Sequence, residues 1–362
     1  MSFGGVKVAV AMSGGVDSSV AAALLVRGKA SVIGVTFRLF GCELGAAGEG
    51  SCCSRADVAD AMRVANALGI PHVVTDFSPL FKRHVIDPFV AAYRDGLTPN
   101  PCVLCNQHIK FRALLDLAQA NGATHIATGH YARVEESGAR FRLLCGRDRG
   151  KDQSYFLFPV GQATLSRTLF PVGDMEKPAV RAVASELGLP VAAKKESQEI
   201  CFATGGSYVR FLEMFGNVRR GSGDVVLEDG TVVGRHEGLH RHTVGQRKGL
   251  GIGYGSPLYV VAKDVEGNRL VVGPREALRV QRIDAGGPVW TSGIVPVAGA
   301  RVEAAIRYRS KPVPATVTAA GPDGFSFTFD HPVEGVAPGQ AAVLYDRDEV
   351  LGGGFIRSAR RA

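Results

Sequence analysis

Three short stretches of this 362-residue chain have residue types and spacing suited to chemistry. The first is Ser13-Gly14-Gly15-Val16-Asp17-Ser18-Ser19. Two glycines without Cβ let consecutive backbone N–H groups converge, and the hydroxyls of Ser13, Ser18 and Ser19 add donors at the start of a helix, where the dipole favours negative charge. That is a cradle for a phosphate. The spacing and lysine of a Walker A loop are both missing, so the phosphate is gripped in another way. The second stretch is Thr98-Pro99-Asn100-Pro101-Cys102-Val103-Leu104-Cys105-Asn106-Gln107-His108-Ile109-Lys110-Phe111. Two prolines preclude regular structure up to Pro101, while Ile109, Leu114, Leu115, Leu117 and Ala118 mark a helix. Cys105 therefore lies near a helix N-terminus, a setting that stabilises a thiolate. The third is Ser197-Gln198-Glu199-Ile200-Cys201-Phe202. Alone, a cysteine between Ile and Phe reads as core; paired with Cys105 far upstream, it reads as a second reactive thiol.

The elements that position these groups follow from periodicity. Val6, Val8 and Val10 alternate as a short buried strand, and residues 16–25 read as a helix, which makes residues 13–18 the turn between them. Residues 31–37 are a second strand; Phe37, at its C-terminal end, suits either a cover for an adenine ring or core packing. Residues 54–57 have capping-box spacing, and Val58, Ala61, Met62, Ala65 and Leu68 then share one helical face until Gly69 and Pro71. A third strand at 72–74 and a helical segment at 77–93, interrupted near Pro88, complete an alternating α/β series. Residues 124–132 read as a further strand ending at Gly129. In an open α/β sheet the strand C-termini line the ligand crevice, which brings Gly129 towards a nucleotide and His130 towards a substrate. Residues 177–187 form a helix closed by Gly188 and Pro190.

The regime changes near residue 206. Residues 224–227 with 231–233, and 258–261 with 270–272, flank Gly-containing turns as hairpins. Between them, residues 238–251 mix glycines with Arg241, Arg247 and Lys248, a composition that lets backbone approach and neutralise a sugar–phosphate chain. From about residue 283 the pattern is all β: Val302, Ala304 and Ile306 alternate, as do Phe325, Phe327 and Phe329, as in a small barrel. The expected organisation is an α/β catalytic domain over residues 1–206, a small mostly β domain over 207–281 and a β-barrel over 282–362.

Bulk properties narrow the class. A formal charge of +8, pI near 9.2 and 46% apolar residues describe a globular chain that tolerates a polyanionic partner. No stretch is long and apolar enough for a membrane span, and no secretory or transit signal opens the sequence, so a cytoplasmic location is expected. Seven cysteines fit a reducing compartment. Cys42, Cys52 and Cys53 invite a metal, but no second ligand pair follows at zinc spacing, and they are read as non-catalytic. Cys145 is read as buried and inert.

The run of residues 13–18 resembles the PP-loop of the ATP pyrophosphatase superfamily, with its adenine nucleotide alpha-hydrolase-like parallel sheet. With N-P-x-x-x-C-N-x-x-I-K-F downstream, the chain is similar to the tRNA-specific 2-thiouridylases, which replace the C2 oxygen of the wobble uridine by sulfur. The G-H-Y-A run at 129–132, the second cysteine stretch and H-T-V-G-Q-R-x-G-L at 242–250 extend the likeness over essentially the whole chain. The resemblance implies that ATP is held by Ala11, Met12, Ser13, Gly14, Gly15, Val16, Asp17, Ser18, Phe37 and Gly129, with Asp17 beside Mg²⁺. It implies Cys105 as the nucleophile and Cys201 as the carrier of a persulfide sulfur, the two ending as a disulfide. It places Asn100, Pro101, Cys102, His130, Lys151, Asp152, Gln153, Arg307, Tyr308 and Gln340 against the anticodon region of tRNA. A sulfur-relay protein or a cysteine desulfurase would supply the sulfur.

Position 102 departs from the family pattern, which has Asp there as an acid/base group. Cys102 with Cys105 forms a C-x-x-C pair, and with Cys201 as a third thiol an iron–sulfur cluster stands as an alternative to a persulfide. A PP-loop ligase forming amides on a small molecule is a rival reading; it leaves Cys105, Cys201 and the basic loop unused. A silent tRNA-binding protein leaves the phosphate loop unused.

Overall fold

The computed structural model describes residues 3–39, 55–195, 200–203, 208–216, 218 and 221–361. The N-terminal part is a five-stranded parallel sheet, built from β1 (Lys7–Ala11), β2 (Ser31–Arg38), β3 (His72–Asp76), β4 (His125–Ala127) and β7 (Thr168–Leu169) in the order β3-β2-β1-β4-β7. The chain steps outward from β1 to β3 and then returns to the other side of β1 with β4. The order reverses there, and the crevice of such a sheet opens at the C-terminal ends of the strands flanking the reversal. The period of two along β1 separates two cores: Val8 and Val10 face the helix α1 (Val16–Arg27), whereas Ala9 faces the side that carries both cysteine stretches.

Helix α2 (Arg55–Leu68) starts where the sequence places it, but its buried face differs. Ala61 and Ala65 are buried as expected, while Met62 is 47% exposed and Asp57 and Asp60 are buried instead. The reason is Lys194, whose Nζ lies 2.6 Å from Asp57 and 2.5 Å from Asp60, and which also donates to the carbonyl of Gly14 at 3.0 Å. The segment 78–94 runs as one helix with a π-helical turn, Lys82–Ile86, directly before the Asp87–Arg94 section that contains Pro88. The missing proline N–H is thus absorbed at the start of a section without ending the helix.

After a short helix at Tyr208–Met214 the second half is mostly β. β8 (Gly223–Leu227) and β9 (Val232–His236) pair antiparallel, as do β10 (Tyr259–Asp264) and β11 (Arg269–Gly273), in a four-stranded sheet ordered β10-β11-β8-β9. Strands β12 (Arg279–Val289), β13 (Arg301–Ala305), β14 (Val313–Ala320), β15 (Gly324–Glu334), β16 (Ala341–Asp346) and β17 (Glu349–Arg360) close into a barrel through the β12–β17 pairing. Phe325, Phe327 and Phe329 fill it. One feature has no counterpart in the sequence reading: the hairpin β5 (Ala132–Ser137) and β6 (Arg140–Cys145), from the first half, extends the barrel sheet beside β17. Glu349 fastens it, accepting from Arg142 Nε at 2.7 Å and pairing with Arg140. Burial opposes ionisation of Glu349, yet the two guanidinium groups hold its carboxyl below the usual range. The sequence boundary at 206/207 lies outside the described residues, and that at 281/282 falls inside β12.

Candidate functional site

The phosphate loop is built by short bonds within itself and by tight contact with its neighbours. Gly15 caps α1 in extended conformation, and Gly14 takes φ +70, which only glycine adopts cheaply. A Cβ at Gly14 would stand 2.2 Å from the carbonyl oxygen of Asp57, and one at Gly129 would stand 2.5 Å from Ser18 N. Gly129 therefore does approach the loop, by backbone contact with α1. Ser18 Oγ accepts from Ser13 N at 3.2 Å and donates to Gly15 O at 3.1 Å; Ser19 Oγ donates to Gly15 O at 2.8 Å. Thr36 Oγ1 holds the loop from below by donating to Met12 O at 2.7 Å. Ala11 and Val16 flank the turn in β1 and α1.

Asp17 has close protein partners. Its carboxylate is committed to protein: Lys177 Nζ lies 2.7 Å from Oδ1 and 2.9 Å from Oδ2, and Tyr131 Oη donates to Oδ1 at 2.8 Å. Lys177 is 8% exposed. The Lys177 ammonium therefore pairs with this acid beside the loop. Neither partner was singled out from the sequence; Lys177 was read only as a helix start and Tyr131 only as part of the G-H-Y-A run. Phe37 lies at the C-terminal end of β2, but its ring is buried against Phe77, with centroids 5.2 Å apart.

The first cysteine stretch is helical earlier than expected. Pro101 is the first residue of the helix, so Pro101–Cys105, a π-helical Asn106–Ala113 and Leu114–Ala120 run on without a break. Proline at the first position keeps its missing N–H out of the ladder. Cys102 is exposed and Cys105 is buried, 6% accessible. Asn106 Nδ2 donates to Phe156 O at 3.0 Å and so ties this helix to the segment after Lys151-Asp152-Gln153. The stacked rings of His84 and His108, 4.5 Å apart, tie it to the 78–94 helix.

Cys201 packs against the same apolar core from the other end of the domain. Phe202 packs edge-on against Phe81, Phe89 and Phe211 at 5.7, 5.1 and 5.0 Å, so residues 200–203 rest on the 78–94 helix. Cys105 belongs to the apolar cluster that includes Phe81, Phe89 and Phe202, and Cys201 packs against that cluster. Two thiols separated by 96 positions in the chain thus share one core, with Cys201 partly exposed. Ser197, Gln198 and Glu199, like Cys42, Cys52 and Cys53, lie outside the described residues. Among the described residues no group of three or more His, Cys, Asp or Glu side chains is arranged to hold a metal ion, so the iron–sulfur alternative on Cys102, Cys105 and Cys201 lacks its donor set.

The barrel completes this face. Gln340 Nε2 donates to Thr98 O at 2.8 Å, and Thr98 N donates to Pro338 O at 2.8 Å, which pins the 338–340 turn onto the residues just before Asn100. Tyr155 Oη donates to Ala341 O at 2.9 Å and its side chain also bonds Asn100. The ring of Tyr308 lies 4.3 Å from that of Phe156, with the Arg309 guanidinium over its face. Arg307 and Tyr308, Gln340, Asn100, Pro101 and Cys102, and the loop after Gln153 therefore lie on linked elements. Asp152 is turned into its own loop, accepting from Gly146 N at 2.8 Å and from Ser154 Oγ at 2.8 Å.

His130 is enclosed by its neighbours. The residue is 9% exposed; its ring stacks against Phe111, meets Phe170 edge-on, and shares a 2.8 Å hydrogen bond between Nδ1 and Thr128 Oγ1. Burial, with the nearby Lys110 charge, pushes its pKa well below the usual range. It is a hydrogen-bonded, neutral histidine packed among aromatic rings. Cys145 behaves as read: burial and the Asp152 charge push its thiol up to about 11.

With this geometry in view, comparison with known proteins decides the family. Three family models match in succession: the tRNA methyl transferase HUP domain over residues 6–205, the tRNA methyl transferase PRC-barrel domain over 210–274 and the aminomethyltransferase beta-barrel domain over 280–356. The tRNA-specific 2-thiouridylase MnmA of Geobacter metallireducens is 49% identical over 360 residues, covering 98% of this chain and 97% of the relative. The proteins of that name from Solibacter usitatus and Heliobacterium modesticaldum are 47% and 48% identical, covering 96% of this chain and 98% and 92% of theirs. The chain belongs to the tRNA-specific 2-thiouridylase family. The PP-loop sheet, the central β unit and the closed barrel are the three parts of this family member. No helix among its described residues is long and apolar enough to cross a membrane.

Proposed function

We propose that this protein is an ATP-dependent tRNA-uridine 2-sulfurtransferase of the cytoplasm, acting on the wobble uridine through three units at residues 1–206, 207–281 and 282–362. The observation that supports the reading is that Cys105 and Cys201 pack into one apolar cluster, in a chain that also carries a built phosphate loop and a barrel turn bonded to Thr98. Methyl transfer, the chemistry in the names of two of the family models, has no use for two thiols and a triphosphate cradle.

The loop donors at residues 13–18 orient ATP so that uridine O2 attacks its α-phosphate, giving an adenylated base and pyrophosphate. Preorganised backbone N–H donors suit the charge that builds on the departing pyrophosphate. Magnesium, bound to the phosphate oxygens of ATP, would neutralise part of that charge. AMP is then the leaving group at C2. Cys201, loaded as a persulfide by a sulfur-relay protein or a cysteine desulfurase, supplies the sulfur. Either its terminal sulfur attacks C2 and Cys105 then attacks the inner sulfur, or Cys105 first releases hydrosulfide that attacks C2. Both routes leave 2-thiouridine, AMP and a Cys105–Cys201 disulfide, so each turnover consumes one external reductant. Cys102, exposed at the second position of the cysteine helix, takes the acid/base place beside the base, with Asn100 and Pro101 around it. Lys151 and Gln153, with Arg307 and Tyr308, hold the anticodon strand by charge and stacking.

The test is pyrophosphate release with ATP and a set of acceptors. Release stimulated by unmodified tRNA, and sulfur retained in that tRNA when a persulfide donor is added, is the expected result. Stimulation by an amino acid or ammonia in place of tRNA would instead identify a small-molecule ligase.

A further inference from the structure

We propose that Tyr131 is a positioning residue that makes the ATP step responsive to tRNA, linking the Gln153 side of the RNA face to Asp17 in the phosphate loop. The inference rests on the reading of residues 151–153 as RNA contacts.

Tyr131 is buried, 3% exposed, and bonds to both sites at once. Its Oη donates to Asp17 Oδ1 at 2.8 Å. Its backbone is clamped by a single residue: Tyr131 N donates to Gln153 Oε1 at 3.0 Å, and Tyr131 O accepts from Gln153 N at 2.9 Å. Asp152 adds a second tie. It accepts from Gly146 N, and Gly146 lies so close to Tyr131 that a Cβ there would be 2.8 Å from Tyr131 O. On the loop side there is equally little slack, because Gly129, two residues before Tyr131, touches the first residues of α1 by backbone. A three-residue segment is therefore wedged between loop and triplet, and a shift of the Gln153 amide on RNA contact reaches the tyrosine hydroxyl through packed atoms alone.

The chemistry of the bond suits such a role. Lys177 Nζ contacts both oxygens of Asp17, so the carboxylate keeps its counter-ion whether or not Tyr131 donates. The hydroxyl adds direction: it decides which way the carboxylate plane and the ammonium beside it face the loop. A hydrogen bond from a neutral hydroxyl to a carboxylate contributes enough to change a rate about tenfold or more. The benefit is that ATP is spent when an acceptor oxygen is in place, and not otherwise.

The experiment compares pyrophosphate release at saturating ATP, with and without saturating unmodified tRNA, in the wild-type chain and in Tyr131→Phe. The expected result is a fall of about tenfold or more in the tRNA-stimulated ratio, with the dissociation constants of ATP and tRNA changed no more than about twofold. A purely structural role would move stability or affinity and leave the ratio alone. Gln153→Ala, read at saturating tRNA, should lower the same ratio, and the double variant should lose no more than the worse single one. Full stimulation in Tyr131→Phe, or losses that multiply in the double variant, would overturn the coupling while leaving the thiolation reading intact. A wild-type chain that ignores tRNA would sink both.

Discussion

The phosphate loop and the two-cysteine face are assembled in opposite ways. The loop is a local object: residues 11–19 supply most of its geometry, and the bonds among Ser13, Gly15, Ser18 and Ser19 close within six positions of one another. The cysteine face is collected from residues 98–106, 153–156, 200–203, 307–308 and 338–340, and is held by aromatic packing and a handful of interdomain hydrogen bonds. The lesson is that nucleotide activation depends on one rigid turn, whereas sulfur transfer depends on how well distant segments dock. Lesions in the first should be all-or-none for adenylation; lesions around the second should separate adenylation from thiolation, or weaken RNA binding by degrees.

The sharpest test of that division is the thiols themselves. Cys105→Ser and Cys201→Ser should each lower sulfur incorporation by about a thousandfold or more, measured with a persulfide donor, while tRNA-stimulated pyrophosphate release persists. Next, Asp17→Ala should remove adenylation and leave the buried Lys177 ammonium without its carboxylate. A loss of about 3 kcal/mol in stability is expected by denaturant titration, with pyrophosphate release falling at least about a hundredfold.

A third variant probes the docking alone. Glu349→Gln leaves Arg140 and Arg142 without their buried partner where the β5–β6 hairpin meets β17, and should cost about 3 kcal/mol with little direct effect on the loop. The pH dependence has a definite sign. Because the folded carboxyl of Glu349 titrates below the usual glutamate range, its contribution is present above that range and is lost as pH falls through the lower folded value. The wild-type chain should lose that contribution in acid, and the Gln variant should lack the corresponding part of the slope. The smallest effect is expected from Gln340→Ala, which frees one anchor between barrel and cysteine stretch: about 1 kcal/mol, seen as a severalfold rise in KM for tRNA at nearly constant kcat.

The same contrast explains what the sequence made legible. The loop, the strands around it and the aromatic filling of the barrel follow from periodicity and glycine placement, which are local. The buried face of α2 does not, because a lysine 134 positions beyond Asp60 draws two carboxylates inward where Met62 would otherwise sit. The acidic pair at i and i+3 on an otherwise apolar helix was the available signal. Tyr131 and Lys177 are not legible as partners of Asp17 for the same reason, and nothing local foretells that Phe111 and Phe170 enclose the His130 ring. Pairing of the β5–β6 hairpin with β17 joins residues more than 200 positions apart, a distance over which alternation carries no register.

The central claim is that Cys105 and Cys201 act as one unit on an adenylated base. It is tested most directly by a single turnover without reductant, using enzyme carrying a persulfide on Cys201, ATP and unmodified tRNA, followed by peptide mass spectrometry. The account predicts a peptide linked through Cys105 and Cys201 in proportion to the 2-thiouridine formed, and none when ATP is withheld. Stoichiometric thiolation with both thiols recovered reduced and unlinked would contradict it.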